Sequence, residues 1–283
     1  MKTLKTIAKW IGILGLILVG FGGLFYLFYV APALEKIQEQ RTINYDPTLT
    51  IYEGGGGNTG VFTSDSLVIV VDTKMSDAAD QLAADVKSLA GNKPILVVNT
   101  HYHIDHSRGN HLYGGQTILA GAGYSPESWT QEGKKEDMPN KWLKDKMNII
   151  MGDDTVTIFT LNMTAHTAGD VFVYSHKRKM LFGGDVILNG QVPSINNGNP
   201  EGYLAAFDKI QDEYDILKIV PGHGPTGGIE ILETFRQYFK DMKQAAEDPS
   251  KEDELVAKYK DWTQVPMLMS STKVIDAFKE SSK

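Results

Sequence analysis

Six consecutive residues, His101-Tyr102-His103-Ile104-Asp105-His106, constrain this chain more than any other segment. They follow directly on an apolar, strand-like run from Pro94 to Val98. The chain has only seven His, and three of them fall in this window. Imidazole and carboxylate are the borderline-hard donors that hold Zn²⁺ while leaving a position for water. In an extended or tightly looped segment His101 and His103 point to the same side. They can then share one ion while Asp105 and His106 turn toward a second. A fold carrying this segment must present it rigidly at the end of a strand.

Further donors of the same kind recur downstream. His166 sits in Thr164-Ala165-His166-Thr167-Ala168-Gly169-Asp170, Asp185 closes Met180-Leu181-Phe182-Gly183-Gly184-Asp185, and His223 sits in Val220-Pro221-Gly222-His223-Gly224-Pro225. Each lies at or near a short apolar, strand-like run and is flanked by Gly or Pro. Loops on a rigid sheet are where such ligands are presented.

In this order, His-x-His-x-Asp-His, a His before Thr-x-Gly-Asp, a Gly-Asp and a Gly-His-Gly resemble the metallo-β-lactamase-fold hydrolase superfamily, over roughly residues 48 to 246. The resemblance implies an α/β fold, an αββα four-layer sandwich with metals at one edge. It implies that His101, His103 and His166 bind a first metal, that Asp105, His106 and His223 bind a second, and that Asp185 bridges them. The cofactor expected is two Zn²⁺ per chain, although a His/Asp set also accepts Mn²⁺ or Fe²⁺. Departures narrow the branch. True metallo-β-lactamases generally lack an Asp at the position of Asp185, and one subclass has Cys there. A bridging Asp is more typical of relatives that hydrolyse thioesters, lactones or phosphodiesters. Glyoxalase-like thioesterases usually have His where Asp170 stands, and iron-dependent oxygen-reducing relatives carry Glu where His103 stands.

The N-terminus is the second strong signal. Lys2, Lys5 and Lys9 precede an uncharged run from Trp10 to Leu34. As a helix, the part from Trp10 to Ala31 covers about 33 Å, enough for a hydrocarbon core of about 30 Å. This length favours an uncleaved membrane anchor over a cleaved signal, for which Ala31-Pro32-Ala33 offers a small-residue site. Trp10, Tyr26 and Tyr29 suit the membrane interfaces. The lysines before the span favour a cytoplasmic N-terminus and a domain on the non-cytoplasmic side, secreted if the signal is cleaved. The expected organisation is residues 1–9 cytoplasmic, 10–34 transmembrane helix, 35–47 a polar stalk, and 48–283 the hydrolase domain with a helical C-terminus from about 228. The domain is long enough for one sizeable core. A net charge of −7 gives no basic footprint for nucleic acid. The absence of Cys excludes disulfides and thiolate ligands.

Within the domain, Leu49–Tyr52, Gly60–Phe62 and Leu67–Val71 read as strands of a hairpin-rich first sheet. Ser76–Leu89 reads as an amphipathic helix burying Ala79, Leu82, Ala83, Val86 and Leu89. Ser107–Leu112 begins a short helix, and the charged stretch 126–148 reads as a helical insert. Strands are expected at Thr155–Leu161, Val171–Ser175, Met180–Phe182 and Leu217–Val220, with helices at Tyr203–Ile210 and Ile229–Ala245. Gly54–Gly57 leads into another strand rather than a helix, so it reads as a tight loop near the metals and not as a phosphate cradle.

The expected function is a dinuclear zinc hydrolase that uses a metal-bridging hydroxide on a small ester, thioester or lactone. β-Lactamase and phosphodiesterase activities are the alternatives within the enzyme class, and a non-catalytic metal-binding scaffold is the alternative outside it. Asp105 is the catalytic candidate, orienting the water or carrying its proton. Asp72 and Asp170 are candidates to support the ligand imidazoles. Tyr102, Asn189 and Asn196 are candidate substrate contacts. His111 reads as structural and His176 as solvent-exposed.

Overall fold

Alternation along short Val/Ile/Leu strands builds two cores from one strand, because successive side chains leave opposite faces of a sheet. In the strand Val68–Val71, Val68 and Val70 face one cluster while Ile69 and Val71 face another; in Ile95–Val98, Ile95 and Val97 join the first and Leu96 and Val98 the second. Strands buried on both faces need helices or a second sheet on each side. A computed structural model of the chain describes residues 40–124, 129, 135–264 and 269–281.

The first sheet has seven strands in chain order: β1 (Arg41–Asp46), β2 (Leu49–Glu53), β3 (Thr59–Thr63), β4 (Val68–Val71), β5 (Ile95–Val98), β6 (Thr117–Gly121) and β7 (Lys141–Leu143). Strands β1 to β4 are antiparallel, and β4 to β7 are parallel. The helix α1 (Ser76–Ala90) makes the crossover from β4 to β5, and the single-turn α2 (Ile104–Ser107) follows β5. The second sheet holds β8 (Lys146–Met151), β9 (Asp154–Thr160), β10 (Val171–Ser175), β11 (Met180–Phe182), β12 (Lys218–Val220) and β13 (Gly227–Gly228), in the order β13-β12-β11-β10-β9-β8. Helices α3 (Pro200–Glu213), α4 (Glu230–Glu247), α5 (Glu252–Ala257) and α6 (Ser271–Ser281) complete the chain.

Three apolar clusters define four layers. Leu82, Val86 and Ala90 of α1 pack on Val68, Val70 and Val97. Between the sheets, Ile69, Val71, Leu96 and Val98 meet Ile158, Val173, Met180 and Phe182. Behind the second sheet, Phe172, Tyr174 and Leu181 meet Tyr203, Phe207, Phe235, Phe239, Ile275 and Phe278. The αββα arrangement expected from the sequence is therefore present.

Four local expectations are corrected. The stalk does not reach residue 47: Arg41–Asp46 pairs antiparallel with β2 as an edge strand. An edge strand facing solvent needs little apolar content, and its partly buried positions are Ile43 and Asp46. The stretch 126–148 is not a helical insert in its described part. It forms a 3-10 turn at Lys135–Asp137, then β7 and the start of β8, where pairing with β6 and β9 outweighs local preference. Leu89 is 45% exposed because α1 turns that position off the sheet. Thr117–Gly121, unassigned from sequence, is the strand β6 between β5 and β7. The membrane span expected at 10–34 lies outside the described residues; among those described, no helix is long and apolar enough to cross a membrane.

Candidate metal centre

Strand register delivers the donors to one edge of the sandwich. Val71 pairs with Val98, so Asp72 and the loop Asn99-Thr100-His101 leave the sheet together. Phe182 pairs with Val220 in parallel, so Asp185 and His223, each three residues further on, arrive side by side. The Gly222 amide donates to the carbonyl of Gly184 at 2.9 Å and fixes that approach. Gly222 has to be glycine, since a Cβ there would lie 2.0 Å from Asp185 Oδ1. The loop after β9 brings His166, and the amide of Val171 donates to Thr100 O at 2.8 Å, joining the two sheets beside the site.

Seven side chains converge. His101 Nε2 and His166 Nε2 each lie 3.0 Å from His103 Nδ1. The three rings are mutually near-perpendicular, at 85°, 89° and 85°. A second group forms around His106 Nε2, with His223 Nε2 at 3.3 Å, Asp185 Oδ1 at 3.1 Å and Asp105 Oδ2 at 3.6 Å. His223 Nε2 lies 3.0 Å from Asp105 Oδ2. Asp185 faces both groups, with Oδ1 3.5 Å from His223 Nε2 and Oδ2 3.7 Å from His166 Nε2. Within each of three overlapping triads, His101/His103/His166, His101/His106/Asp185 and Asp105/His106/His223, the donor atoms lie within 4.8 Å of one another.

The residues fit a divalent metal. Two nitrogens on one tetrahedral Zn²⁺ at about 2.0–2.1 Å stand about 3.3 Å apart, close to the spacings seen. In four of the five histidines the outer ring nitrogen is committed elsewhere, which leaves the inner one as a lone pair. His106 Nδ1 donates to Asp72 Oδ2 at 2.8 Å. His103 Nε2 donates to Asn197 Oδ1 at 3.3 Å. Thr100 Oγ1 donates to Asp72 Oδ2 at 2.7 Å, so it accepts from His101 Nδ1 at 3.1 Å. His166 Nδ1 donates to Tyr203 Oη at 2.8 Å, and Tyr203 Oη donates onward to the Asp185 carbonyl at 3.3 Å. Asp185 Oδ1 is buried and has no aligned hydrogen bond, as an acceptor aimed at a cation would be.

Electrostatics separate the two groups. Burial, reinforced by the neighbouring imidazoles, pushes His101 well below the usual imidazole range and His166 to about 3. Burial opposes charge on His106 and His223 as well, but Asp185 and Asp105 outweigh it and raise both. In return, despite burial, these histidines hold Asp185 and Asp105 below the ordinary carboxylate range.

The structure brings the seven candidate ligands together and sorts the remaining candidates. Asp72 supports His106 directly and His101 through Thr100. Asp170 does not touch the His166 ring; its carboxylate accepts the backbone amides of His166 and Thr167 at 2.9 and 3.0 Å. Tyr203 takes the role expected of Asp170. Tyr102 does not face the open site: it is 8% exposed and packs against Tyr124 and Trp129, because the turn that aims His101 and His103 inward sends it the other way. Asn189 lines a cavity of about 420 Å³ beside His223. Asn196 is exposed, and its neighbour Asn197 makes the contact with His103. His111 binds Asp137 at 2.9 Å, and His176 is exposed. Sequence reading missed Thr100, Tyr203, Lys74 and the contact of Asn197 with His103. Thr100 was detectable as the residue between strand and motif. Tyr203 and Asn197 lie 37 and 94 residues from their histidines and carry no local signal.

Gly54–Gly57 wraps over this centre. The Gly57 amide donates to Asp105 O at 2.9 Å, and a Cβ on Gly57 would lie 2.2 Å from the His106 ring. Beneath the loop the buried Lys74 ammonium donates to the carbonyls of Tyr52 and Gly57, each at 2.9 Å, and to that of Gly54. Burial brings Lys74 down to about 7 against the pull of Asp72, Glu53 and Asp105.

The family profile described as "Metallo-beta-lactamase superfamily" matches residues 52–223. The acyl-coenzyme A thioesterase MBLAC2 of Homo sapiens is 24% identical over 176 residues, 52% of this chain and 62% of that protein. Its Gallus gallus counterpart is 25% identical over 50% of this chain and 61% of its own length. The chain thus spans about three fifths of the length of these curated relatives. A metallo-beta-lactamase type 2 of Bacteroides fragilis is 21% identical over 67% of this chain and 80% of its own. Among solved structures, a metallo-beta-lactamase from Pontibacter korlensis has the same fold, with a TM-score of 0.63 at 16% identity, over 71% of this chain and 99% of that one. A sec-alkyl sulfatase variant superposes with a TM-score of 0.66 at 14% identity, over 86% of this chain and 50% of that one. With the matched profile covering more than half of its length and every expected donor gathered at one edge of the sandwich, the chain belongs to the metallo-beta-lactamase superfamily.

Proposed function

We propose that the chain is a dinuclear zinc hydrolase of small acyl esters, with thioesters as the preferred class. The observation that carries the dinuclear reading is Asp185, whose two oxygens face different donor groups, Oδ1 toward His106 and His223 and Oδ2 toward His166. An anion between two dications lowers the cost of holding them close. The thioester preference is supported by the thioesterase relatives and by the Asp at position 185.

A bound zinc pair supplies Lewis acidity and a water activated near neutral pH. The side chains do the rest. Asp72, Thr100, Tyr203 and Asn197 hold the imidazoles in the tautomers that leave lone pairs inward. Asp105, 25% exposed and kept ionised by His106 and His223, turns Oδ2 to the donor group and offers the rest of its carboxylate as a proton acceptor. Asn197 spends its Oδ1 on His103, so its Nδ2 is left to donate to a substrate carbonyl. No side-chain nucleophile is required. Residues 10–34 anchor the protein with this domain on the non-cytoplasmic side, a reading supported by their length and by the lysines that precede them.

The test uses the full chain in detergent, loaded with zinc, on a thioester, a lactone, a chromogenic β-lactam and a phosphodiester, with Asp185→Asn alongside. Thioester turnover with close to two metals per chain, and loss of both the second metal and the rate in the variant, is expected. A β-lactam as the preferred substrate would replace the thioester reading. One metal per chain at saturation would remove the dinuclear one.

A further inference from the structure

The cavity beside His223 is lined in part by segments of the chain that lie outside the matched family segment. It holds about 420 Å³, in the range of small-ligand sites. Gly54, Gly56 and Asn58 of the glycine loop form one side, and Asn189–Gln191 form another. Arg41 of β1, Asp261 and Thr263 complete the wall, and all three lie beyond residues 52–223. The C-terminal wall is fixed in place. Thr263 donates to the Gly190 carbonyl at 2.8 Å, and its own carbonyl accepts the Val192 amide at 3.0 Å. The neighbouring Trp262 stacks on Tyr238 with centroids 5.0 Å apart.

Arg41 is the lone cationic Lys or Arg side chain lining this cavity among the described residues. It stands directly across from Glu53 in the β1–β2 register, where a cross-strand ion pair would form. That pair is not made. Glu53 is 8% exposed and turns Oε1 to the amide of Thr226 at 2.6 Å. Arg41 has no hydrogen-bond or ion-pair partner among the described residues and is exposed at the cavity rim. Asp261, also exposed and lining the cavity, adds the opposing charge that rejects an anion placed wrongly. An uncommitted guanidinium at the rim beside the donor cluster suits a carboxylate or phosphate carried by a substrate at a distance from its reacting carbonyl.

From this geometry we infer that Arg41 is a specificity residue, reading an anionic group on the substrate. This rests on the hydrolase reading above. Two sources share that chemistry, a carboxylate at the far end of the acyl chain and a phosphate on the thiol leaving group.

The experiment compares kcat/KM of the zinc-loaded full chain on three thioesters: butanoyl-N-acetylcysteamine, succinyl-N-acetylcysteamine and butanoyl-coenzyme A. The first pair differs by a terminal carboxylate, and the first and third differ by the phosphate-bearing thiol. Wild type, Arg41→Gln, Arg41→Lys and Asp261→Asn are run together, and binding of succinate and of coenzyme A is measured by calorimetry on each. The expected result is a preference of about ten-fold or more for one anionic substrate. Arg41→Gln abolishes it, Arg41→Lys retains part of it, and Asp261→Asn enlarges it. The pair that shows the preference identifies the source. Equal use of all three by wild type, or the same preference in Arg41→Gln, overturns the inference. If no thioester is turned over, the thioester reading fails instead. Arg41 is then judged by binding alone, with support if Arg41→Gln weakens either anion about ten-fold and refutation if it weakens neither.

Discussion

Asp72 Oδ2 lies 2.8 Å from His106 Nδ1, and the same carboxylate takes the Thr100 hydroxyl at 2.7 Å and the Thr100 amide at 2.7 Å. One buried aspartate therefore sets the tautomer of an imidazole in each donor group. It adopts a left-handed backbone at φ 64°, which Asp and Asn tolerate better than other side chains.

Asp72→Asn keeps that backbone and removes the charge. Zinc affinity is expected to fall about 10- to 100-fold, with the fold intact. Chelator competition measures the affinity and circular dichroism the fold. Wild-type affinity in the variant would mean that the histidines orient themselves.

The two donor groups should respond differently to acid. His106 and His223 are raised above 6.5 in the metal-free protein by Asp185 and Asp105, which outweigh burial, so protons compete with metal there as pH falls through those raised values. In the first group His101 is far below that range and His166 is near 3, so these two imidazoles have no proton to displace. As pH falls through those raised values, any metal held by Asp105, His106 and His223 should leave first. Elemental analysis after dialysis at each pH decides; simultaneous loss of both metals contradicts the separation.

Gly57→Ala puts a methyl group 2.2 Å from the His106 ring. The loop must lift or the imidazole must turn. Loss of about one metal equivalent is expected, with a destabilisation of about 1–3 kcal/mol. Full metal content with unchanged melting would show that the loop moves freely.

Arg178 joins the two sheets at the end away from the metals. Its Nε and one terminal nitrogen bind Asp46 at 2.7 and 2.9 Å, and the other terminal nitrogen binds the buried Asp154. Arg178→Ala removes the cation from the buried Asp154, which keeps only the Ser175 hydroxyl and the Lys177 amide, and should cost about 3 kcal/mol, while zinc affinity stays at the wild-type level. The hydrogen bond and charge of Arg178 bring Asp46 from 3.8 to about 2, partly offset by burial. A lowered carboxylate stabilises the fold fully above its unfolded value, and that share is lost as pH falls from about 4 toward about 2. Denaturant melts of wild type and variant should converge over that window. A constant gap would assign the stabilisation to packing.

Strands β2 to β5 and β9 to β12 and the seven candidate donors were readable from the chain, because four donors share the His101–His106 motif and His166, Asp185 and His223 each lie near the end of an apolar run. Periodicity also located α1, α3 and α4, since their buried faces repeat within a few residues. The edge strands β1, β7 and β8 were not readable. Their charged, half-exposed sequences become strands through the partner strand alone.

By itself the sequence determined the candidate donors and the strand ends from which they project, since bond-forming groups and backbone alternation are local properties. Tertiary structure alone decided which imidazole nitrogen faces inward, because Tyr203, Asn197 and Asp72 reach their histidines only after the chain has folded. It also decided that Arg41 and Thr263, more than 200 residues apart, line one cavity. Packing of the C-terminal segment and pairing of an edge strand create that neighbourhood, and neither leaves a pattern in the chain.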